Sequence, residues 1–160
     1  MPIFVVQEHH AKALHWDFRL ESGGVLKSWA IPKGPSMDPS QKRLAIQVPD
    51  HDMEHASYEG IIPEGTYGSG PVLAWDRGEF EPKAGSDFEA ALKKGHAGFN
   101  LKGQRLKGEF TLLRLKDGKN WLLMKKNDAY AKAEWKTEVL LTPKRKESLP
   151  VKMPACAIKE

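Results

Sequence analysis

The chain has 160 residues, of which 40% are hydrophobic and 29% are charged; this length and composition are typical of one globular domain that is long enough to bury a core. Lys and Arg number 25 against 21 Asp and Glu, and this small positive excess permits an anionic partner without requiring one. The lone cysteine, Cys156, excludes both an internal disulfide framework and a cysteine-based zinc cluster.

Eight short strands are predicted from runs of alternating or apolar residues that end at turn signals. They span residues 4–7, 15–21, 25–31, 43–48, 72–76, 99–102, 108–116 and 121–126. Tight turns at 22–24 and 117–120 join neighbouring strands as hairpins. The stretch 60–70 is predicted to be a loop because it is rich in glycine and contains a proline.

One helix is predicted over residues 86–94, with Ser86 as its N-cap and Glu89 completing a capping box. Many short strands with one or two short helices indicate a mainly β fold, a compact antiparallel β-barrel of about eight strands, with a closely packed sandwich as the alternative. We expect one barrel domain over residues 1–130 and a C-terminal tail over 131–160, packed on the barrel or extending from it. Because no signal peptide or membrane-length apolar run is recognisable, we expect a cytoplasmic monomer with no membrane partner.

The second predicted strand carries ionisable side chains on one face, His15, Asp17 and Arg19, and apolar side chains on the other. Burying such groups on one strand costs several kcal/mol unless they are paired or bind an ion. His9 lies just upstream, and a bend at residues 10–13 would bring it over the same face. We therefore predict a metal site formed by His9, His15 and Asp17. Nitrogen and oxygen ligands suit Mn²⁺, Fe²⁺, Co²⁺ or Zn²⁺ without selecting among them.

Further polar residues are candidates for binding a phosphate. Arg19 shares the face of the metal ligands, and hairpin geometry would bring Lys33 and Arg43 near it; Arg offers a planar fork of donors and Lys a point charge. His51 follows the end of a predicted strand, and His55 lies in the loop beyond it, a place where reactive groups are often held. An imidazole there can donate to a phosphoryl group or to a leaving oxygen.

With these residues in place, the sequence resembles the 3′-phosphoesterase domain of bacterial ligase D, a DNA-end-healing module that also exists as a free-standing protein. The matching stretches are 5–9, 15–21, 24–36, 42–45, 50–51, 59–68, 75–78 and 121–128. The resemblance reaches to about residue 130, and it is specific because many spaced elements occur in the same order.

The resemblance implies a β-barrel whose crescent-shaped groove holds a divalent metal, usually Mn²⁺, with Co²⁺ and Zn²⁺ as alternatives. It implies that His9, His15 and Asp17 bind the metal, and that the phosphate is held by Arg19 and His51 with Lys33 and Arg43. The implied substrates are DNA or RNA–DNA 3′ ends of a primer-template. A phosphodiesterase step removes a terminal ribonucleoside, and a phosphomonoesterase step then converts the resulting 3′-phosphate to a 3′-OH.

Two departures from the family accompany this resemblance. His55 stands where the family typically has a tyrosine, which leaves open the balance between the two activities. The chain also lacks the polymerase and ligase domains of the full enzyme, so we expect any DNA ligase or polymerase partner to act in trans.

Two other functions compete with the phosphoesterase. A non-haem iron oxygenase uses two histidines and one carboxylate, and His15, Asp17 and His51 fit that pattern. A non-catalytic nucleic-acid-binding barrel would use its Arg and Lys on phosphates and would bind in a salt-dependent manner without turnover.

Overall fold

The computed structural model describes residues 1–154, so Cys156 and the last residues of the predicted tail lie outside the described chain. The strands in chain order are β1 Ile3–His10, β2 Leu14–Ser22, β3 Val25–Ile31, β4 Arg43–Asp52, β5 Gly60–Ile62, β6 Gly70–Pro82, β7 His96–Lys102, β8 Lys107–Arg114 and β9 Asn120–Lys125. The helices are α1 Phe88–Lys94 and α2 Pro143–Glu147, and a 3₁₀ turn spans Met53–Ser57.

Eight of these strands close into an antiparallel barrel, in the order β1-β2-β3-β4-β9-β8-β7-β6, with β6 pairing back to β1. The predicted barrel of about eight strands is therefore confirmed. The ninth strand, β5, pairs with the first residues of β6 and lies within the stretch 60–70 that was predicted to be a loop. Its three residues are too short to show a period of two, which is why the sequence does not reveal it.

The interior of the barrel is filled by aromatic side chains from alternate strand positions. Phe18, Phe99 and Phe110 are fully buried, and their rings follow one another at centroid distances of 6.1 and 6.3 Å. Trp29 and Trp121 meet edge to face at 5.5 Å. Since neighbouring residues on a strand point to opposite faces, the residues between these core positions lie on the outside of the barrel.

The α1 helix has a different N-cap from the predicted one. The side chain of Asp87 accepts a hydrogen bond from the backbone N–H of Ala90, whereas the Ser86 hydroxyl donates to the carbonyl of Lys83. Ser86 as the cap was therefore wrong by one residue, because Ser and Asp are equally good caps and stand side by side here. The C-terminal signal is confirmed, since Gly95 ends the helix in the left-handed conformation, with φ of 81°.

The C-terminal segment packs against the barrel over its described residues. The buried carboxylate of Glu8 accepts hydrogen bonds from the backbone N–H groups of Leu140 and Leu141, at 2.6 and 2.9 Å. Trp135 donates from Nε1 to the carbonyl of Pro35. Further along, the N–H of Lys152 donates to the carbonyl of Ile61 in β5. No helix in residues 1–154 is long and apolar enough to cross a membrane.

Candidate metal and phosphate site

The β1–β2 hairpin places the three predicted metal ligands together on the outside of the barrel. His9 is paired directly with His15 across the two strands, and Asp17 lies two residues further along β2. One ligand atom from each of the three lies within 4.8 Å of the others. The chain bends at residues 11–13, between the end of β1 at His10 and the start of β2 at Leu14. This reversal lets the two strands pair, and the pairing aligns the two imidazoles.

The hydrogen bonds of the two imidazoles fit a metal site. His9 Nε2 donates to the carbonyl of Gly68 at 2.6 Å, and His15 Nδ1 donates to the carbonyl of Ala13 at 3.1 Å. The other ring nitrogens face Asp17, with His9 Nδ1 3.1 Å from Oδ2 and His15 Nε2 3.2 Å from Oδ1. A histidine that binds a metal donates its second N–H to a carbonyl in this way, which fixes its tautomer and orientation. Two imidazole nitrogens and a carboxylate suit a first-row divalent cation.

The charge of Asp17 is maintained despite its burial. Burial alone raises the pKa of this carboxyl, but the guanidinium of Arg19 and the hydrogen bonds from His15 and His9 outweigh it and hold the pKa well below its usual value. For His15 the burial lowers the pKa, whereas the hydrogen bond and charge of Asp17 raise it, and the net shift is upward. The site therefore presents an ionised carboxylate to a cation.

Arg19 is buried beside the metal ligands and is held by several acceptors. Its Nε donates to Gln7 Oε1 and its Nη1 to Ser28 Oγ, both at 2.8 Å. Its Nη2 lies 3.5 Å from Asp17 Oδ2. With only 3% of its surface exposed, the guanidinium has a fixed position, so it is preorganised to meet an anion next to the proposed metal.

Gln7 was missed by the analysis of the sequence, and it connects three parts of the site. Its Oε1 accepts from Arg19, while its Nε2 donates to the carbonyls of His55 and Tyr58, at 2.8 and 3.2 Å. The side chain is fully buried. A signal was present in the sequence, since Gln7 stands two residues before His9 and therefore on the same face of β1.

His51 reaches the groove because of a β-bulge in β4. Ser28 of β3 pairs with Val48, but Leu26, only two residues away, pairs with His51, so β4 carries one extra residue next to Pro49. Because of this extra residue, the alternation of side chains between the two faces of β4 shifts by one position. His51 therefore lies on the outer face of the barrel, the same face as Val48. The sequence predicted a strand ending at residue 48 and a loop after it, whereas β4 continues to Asp52. Proline has no N–H to donate to the neighbouring strand, and Pro49 is tolerated here because a residue in a bulge does not need to make that hydrogen bond.

The ring of His51 lies against Arg19. Its Nδ1 is 3.1 Å from Arg19 Nη1 and 3.0 Å from the carbonyl of Pro49. Burial and the charge of Arg19 both lower the pKa of His51, so the ring is neutral at neutral pH. Nδ1 thus faces one donor and one acceptor, and the tautomer of the neutral ring decides which of the two contacts is a hydrogen bond.

His55 is buried behind His51 in the 3₁₀ turn. The two rings are 4.6 Å apart, and His55 in turn stacks on Tyr58 at 5.6 Å. Burial, followed by the charge of Arg19, lowers the pKa of His55 to about 3. This imidazole is therefore a neutral group at the back of the groove, and its predicted contact with a phosphate stays a prediction.

Lys33 and Arg43 are not brought into the cavity that the other candidates line. Lys33 is exposed in the turn that follows β3. Arg43 shares its face of β4 with the buried Ala45, and it donates from Nη2 to Gln41 Oε1 at 3.1 Å. Their predicted contact with a phosphate also stays a prediction.

A cavity of about 860 Å³ joins the remaining candidates. His9, His15, Asp17, Arg19, His51 and His55 all line it. Lys12 at the tip of the β1–β2 hairpin and Tyr67 in the loop 63–69 extend its rim. The oxygenase pattern of His15, Asp17 and His51 is not favoured, because the ligand atoms that cluster with His15 and Asp17 are those of His9.

Comparison with known proteins gives consistent matches. The sequence model of the DNA ligase D 3′-phosphoesterase domain matches residues 7–114. The multifunctional non-homologous end joining protein LigD of Pseudomonas aeruginosa is 48% identical over 140 residues, which are 86% of this chain and 16% of that protein. The LigD proteins of Mycobacterium tuberculosis and Mycolicibacterium smegmatis are 44% and 39% identical over 119 and 129 residues. The chain thus spans only 15–17% of the length of these curated relatives.

Proposed function

Since this chain belongs to the family of DNA ligase D 3′-phosphoesterase domains, we propose that it is a metal-dependent phosphoesterase that heals 3′ ends for non-homologous end joining. It removes a 3′-terminal ribonucleoside in a phosphodiesterase step and a 3′-phosphate in a phosphomonoesterase step, and it leaves a 3′-OH. The LigD relatives reported above are end joining proteins, which supports a role in repair.

The proposed metal site consists of His9, His15 and Asp17. The feature that most supports the proposal is Asp17, whose carboxylate lies between both imidazoles and the Arg19 guanidinium. The two carbonyl-bound histidines and the ionised carboxylate suit several first-row divalent cations. We propose Mn²⁺, the metal that the family resemblance implies, with Co²⁺ and Zn²⁺ as alternatives. When bound there, such a cation supplies Lewis-acid stabilisation of charge on a phosphoryl oxygen.

The protein groups beside this site act on the rest of the phosphate. Arg19 holds non-bridging oxygens with N–H groups that its other contacts fix in direction. In the tautomer whose Nδ1 accepts from Arg19, His51 carries its proton on Nε2, and this N–H donates to the phosphoryl group or to the leaving oxygen. His55 remains neutral behind it, and we propose that it influences the balance between the two steps through its 4.6 Å contact with His51.

The substrates that we propose are 3′ ends of DNA or RNA–DNA strands in a primer-template. The curated relatives are end joining proteins, and we propose that a DNA ligase or polymerase uses the 3′-OH that this chain leaves. The small positive net charge of the chain, +4, is compatible with such an anionic substrate.

The test is to incubate the protein with Mn²⁺ and a primer-template whose primer ends in a ribonucleoside 3′-phosphate, with and without a chelator. We expect chelator-sensitive release of phosphate and formation of a 3′-OH. Asp17→Ala and His15→Ala should abolish both steps, whereas His96→Ala, which removes an exposed histidine from β7, should retain them. If the protein binds the primer-template but does not turn it over with Mn²⁺, with Co²⁺ or with Zn²⁺, it is instead a non-catalytic nucleic-acid-binding barrel. Full activity of Asp17→Ala would contradict the metal site.

A further inference from the structure

One aromatic side chain on the rim of the groove is not used by the proposed chemistry. Tyr67 lies in the loop 63–69 between β5 and β6, and 67% of its surface is exposed. Several other large hydrophobic side chains in residues 1–154 are exposed, but among these Tyr67 is the one that lines the cavity. An exposed aromatic ring at the mouth of a polar site is suited to hold a flat, apolar group that enters with the substrate.

The loop holds Tyr67 at a fixed place beside the reaction centre. The next residue, Gly68, accepts the hydrogen bond from His9 Nε2 at 2.6 Å. On the other side, Thr66 is buried, and its N–H donates to the carbonyl of Pro63. A Cβ at Gly68 would lie 3.1 Å from His9 Cε1, and its φ is 76°, so only glycine allows the loop to approach this closely. The backbone of Tyr67 is therefore tied to a proposed metal ligand.

We propose that Tyr67 is a stacking platform for the base of the nucleoside that carries the reacting phosphate. This inference rests on the proposed function and extends it to the nucleoside beside the phosphate. In the proposed function the phosphate lies between Arg19, His51 and the cation at the metal site, and the nucleoside attached to it must leave the groove past its rim. Every base has a π face, so stacking holds an end of any sequence. An enzyme that heals broken ends needs such tolerance.

Stacking makes specific predictions for Tyr67 variants. Tyr67→Ala should raise KM for a 3′-phosphate primer about tenfold or more, within the range found for loss of a base–aromatic stack, and should leave kcat nearly unchanged. Tyr67→Phe should behave like the unchanged chain, because the ring and not the hydroxyl makes the contact. Tyr130→Ala is the matched control, since Tyr130 is also exposed, at 51%, but does not line the cavity.

The decisive experiment removes the base as well as the ring. We would compare the unchanged chain and Tyr67→Ala on two primers, one with a normal 3′-terminal nucleoside 3′-phosphate and one whose terminal sugar lacks a base. We expect Tyr67→Ala to raise KM on the first primer and to change nothing on the second, which is the coupling that a direct contact produces. An equal rise on both primers, or none on either, would overturn the platform.

A binding experiment with chelator present separates this inference from the proposed function. The primer carries fluorescent 2-aminopurine as its terminal base, and stacking on Tyr67 should quench it. Quenching by the unchanged chain, by Tyr67→Phe and by Tyr130→Ala, but not by Tyr67→Ala, would support the platform even in a preparation without turnover. Turnover by the unchanged chain with equal quenching by Tyr67→Ala would overturn the platform and leave the phosphoesterase in place.

Discussion

The two faces of β2 show two different ways in which one strand is stabilised. The inner face carries Trp16, Phe18 and Leu20, all nearly or fully buried in the barrel. The outer face carries Asp17 and Arg19, which are almost as deeply buried, at 6% and 3% exposure. The inner face contacts other hydrocarbon, whereas the outer face is satisfied by hydrogen bonds and ion pairs with β1, β3 and β4.

This difference separates stability from function along a single strand. Apolar burial contributes roughly 25 cal/mol per Å² wherever the side chain fits, so the inner face depends on volume and shape. On the outer face a buried charge is tolerated only while its partners remain, so each residue depends on named neighbours. Changes on the inner face should therefore alter folding, and changes on the outer face should alter the handling of phosphate.

The largest expected effect on stability comes from the inner face. Phe18→Ala removes a fully buried ring that packs against Phe4, Trp29 and Phe99. The free energy of unfolding, measured in urea, should fall by about 3–5 kcal/mol, while kcat and KM of the folded protein at low temperature stay unchanged. Phe88→Ala is the control, since Phe88 is only partly buried at the edge of the same core and should cost less. A large loss of kcat in folded Phe18→Ala would break the separation of the two faces.

Loss of Gln7, which holds Arg19 from the neighbouring strand β1, should change substrate binding as well as stability. Gln7→Leu removes the acceptor of Arg19 Nε and one donor from each of the carbonyls of His55 and Tyr58. The His55 carbonyl keeps the N–H of Tyr58. Unsatisfied buried groups should cost about 1–3 kcal/mol. Because Arg19 loses its fixed direction, KM for a 3′-phosphate primer should also rise, with Mn²⁺ affinity unchanged.

The control for Gln7 is Gln47→Leu in β4. The Gln47 side chain also accepts from a buried group, Trp121 Nε1 at 3.1 Å, but it does not line the cavity. It should lower stability without changing KM. If Gln7→Leu changes stability alone, Gln7 supports the fold and does not position Arg19.

The sequence predicted the barrel and the face of the metal ligands because both follow from a period of two. Alternation places His15, Asp17 and Arg19 on one side, and a hairpin brings His9 opposite His15. It did not predict how His51 is oriented, since that depends on one extra residue in β4 opposite β3. A bulge is set by pairing between strands that are distant in the chain, so a local pattern does not contain it.

Alternation indicates the face on which Gln7 lies, but the contacts of Gln7 and the place of Tyr67 could not be predicted from the sequence, for a different reason. Gln7 joins Arg19 to backbone carbonyls 48 and 51 residues away, and such contacts exist only after the barrel closes. Tyr67 lies in a loop whose position is set by the hydrogen bond from His9 to Gly68. A loop residue has no periodic partner, so its place at the rim could be found only from the tertiary structure.

The dependence of stability on pH tests whether His55, at the back of the groove, is held neutral in the folded state. Burial and Arg19 lower the pKa of His55 to about 3, whereas the unfolded chain takes up this proton near pH 6.5. The unfolded state therefore binds one more proton between these values, so the contribution of His55 is complete above pH 6.5 and falls by about 1.4 kcal/mol per pH unit below it. His55→Gln cannot titrate, and its urea-unfolding free energy should fall less steeply from pH 6.5 to 5 than that of the unchanged chain. His96→Gln, which replaces an exposed histidine on β7, is the control. If the unfolding free energy of His55→Gln depends on pH as steeply as that of the unchanged chain, His55 is not held neutral in the folded state.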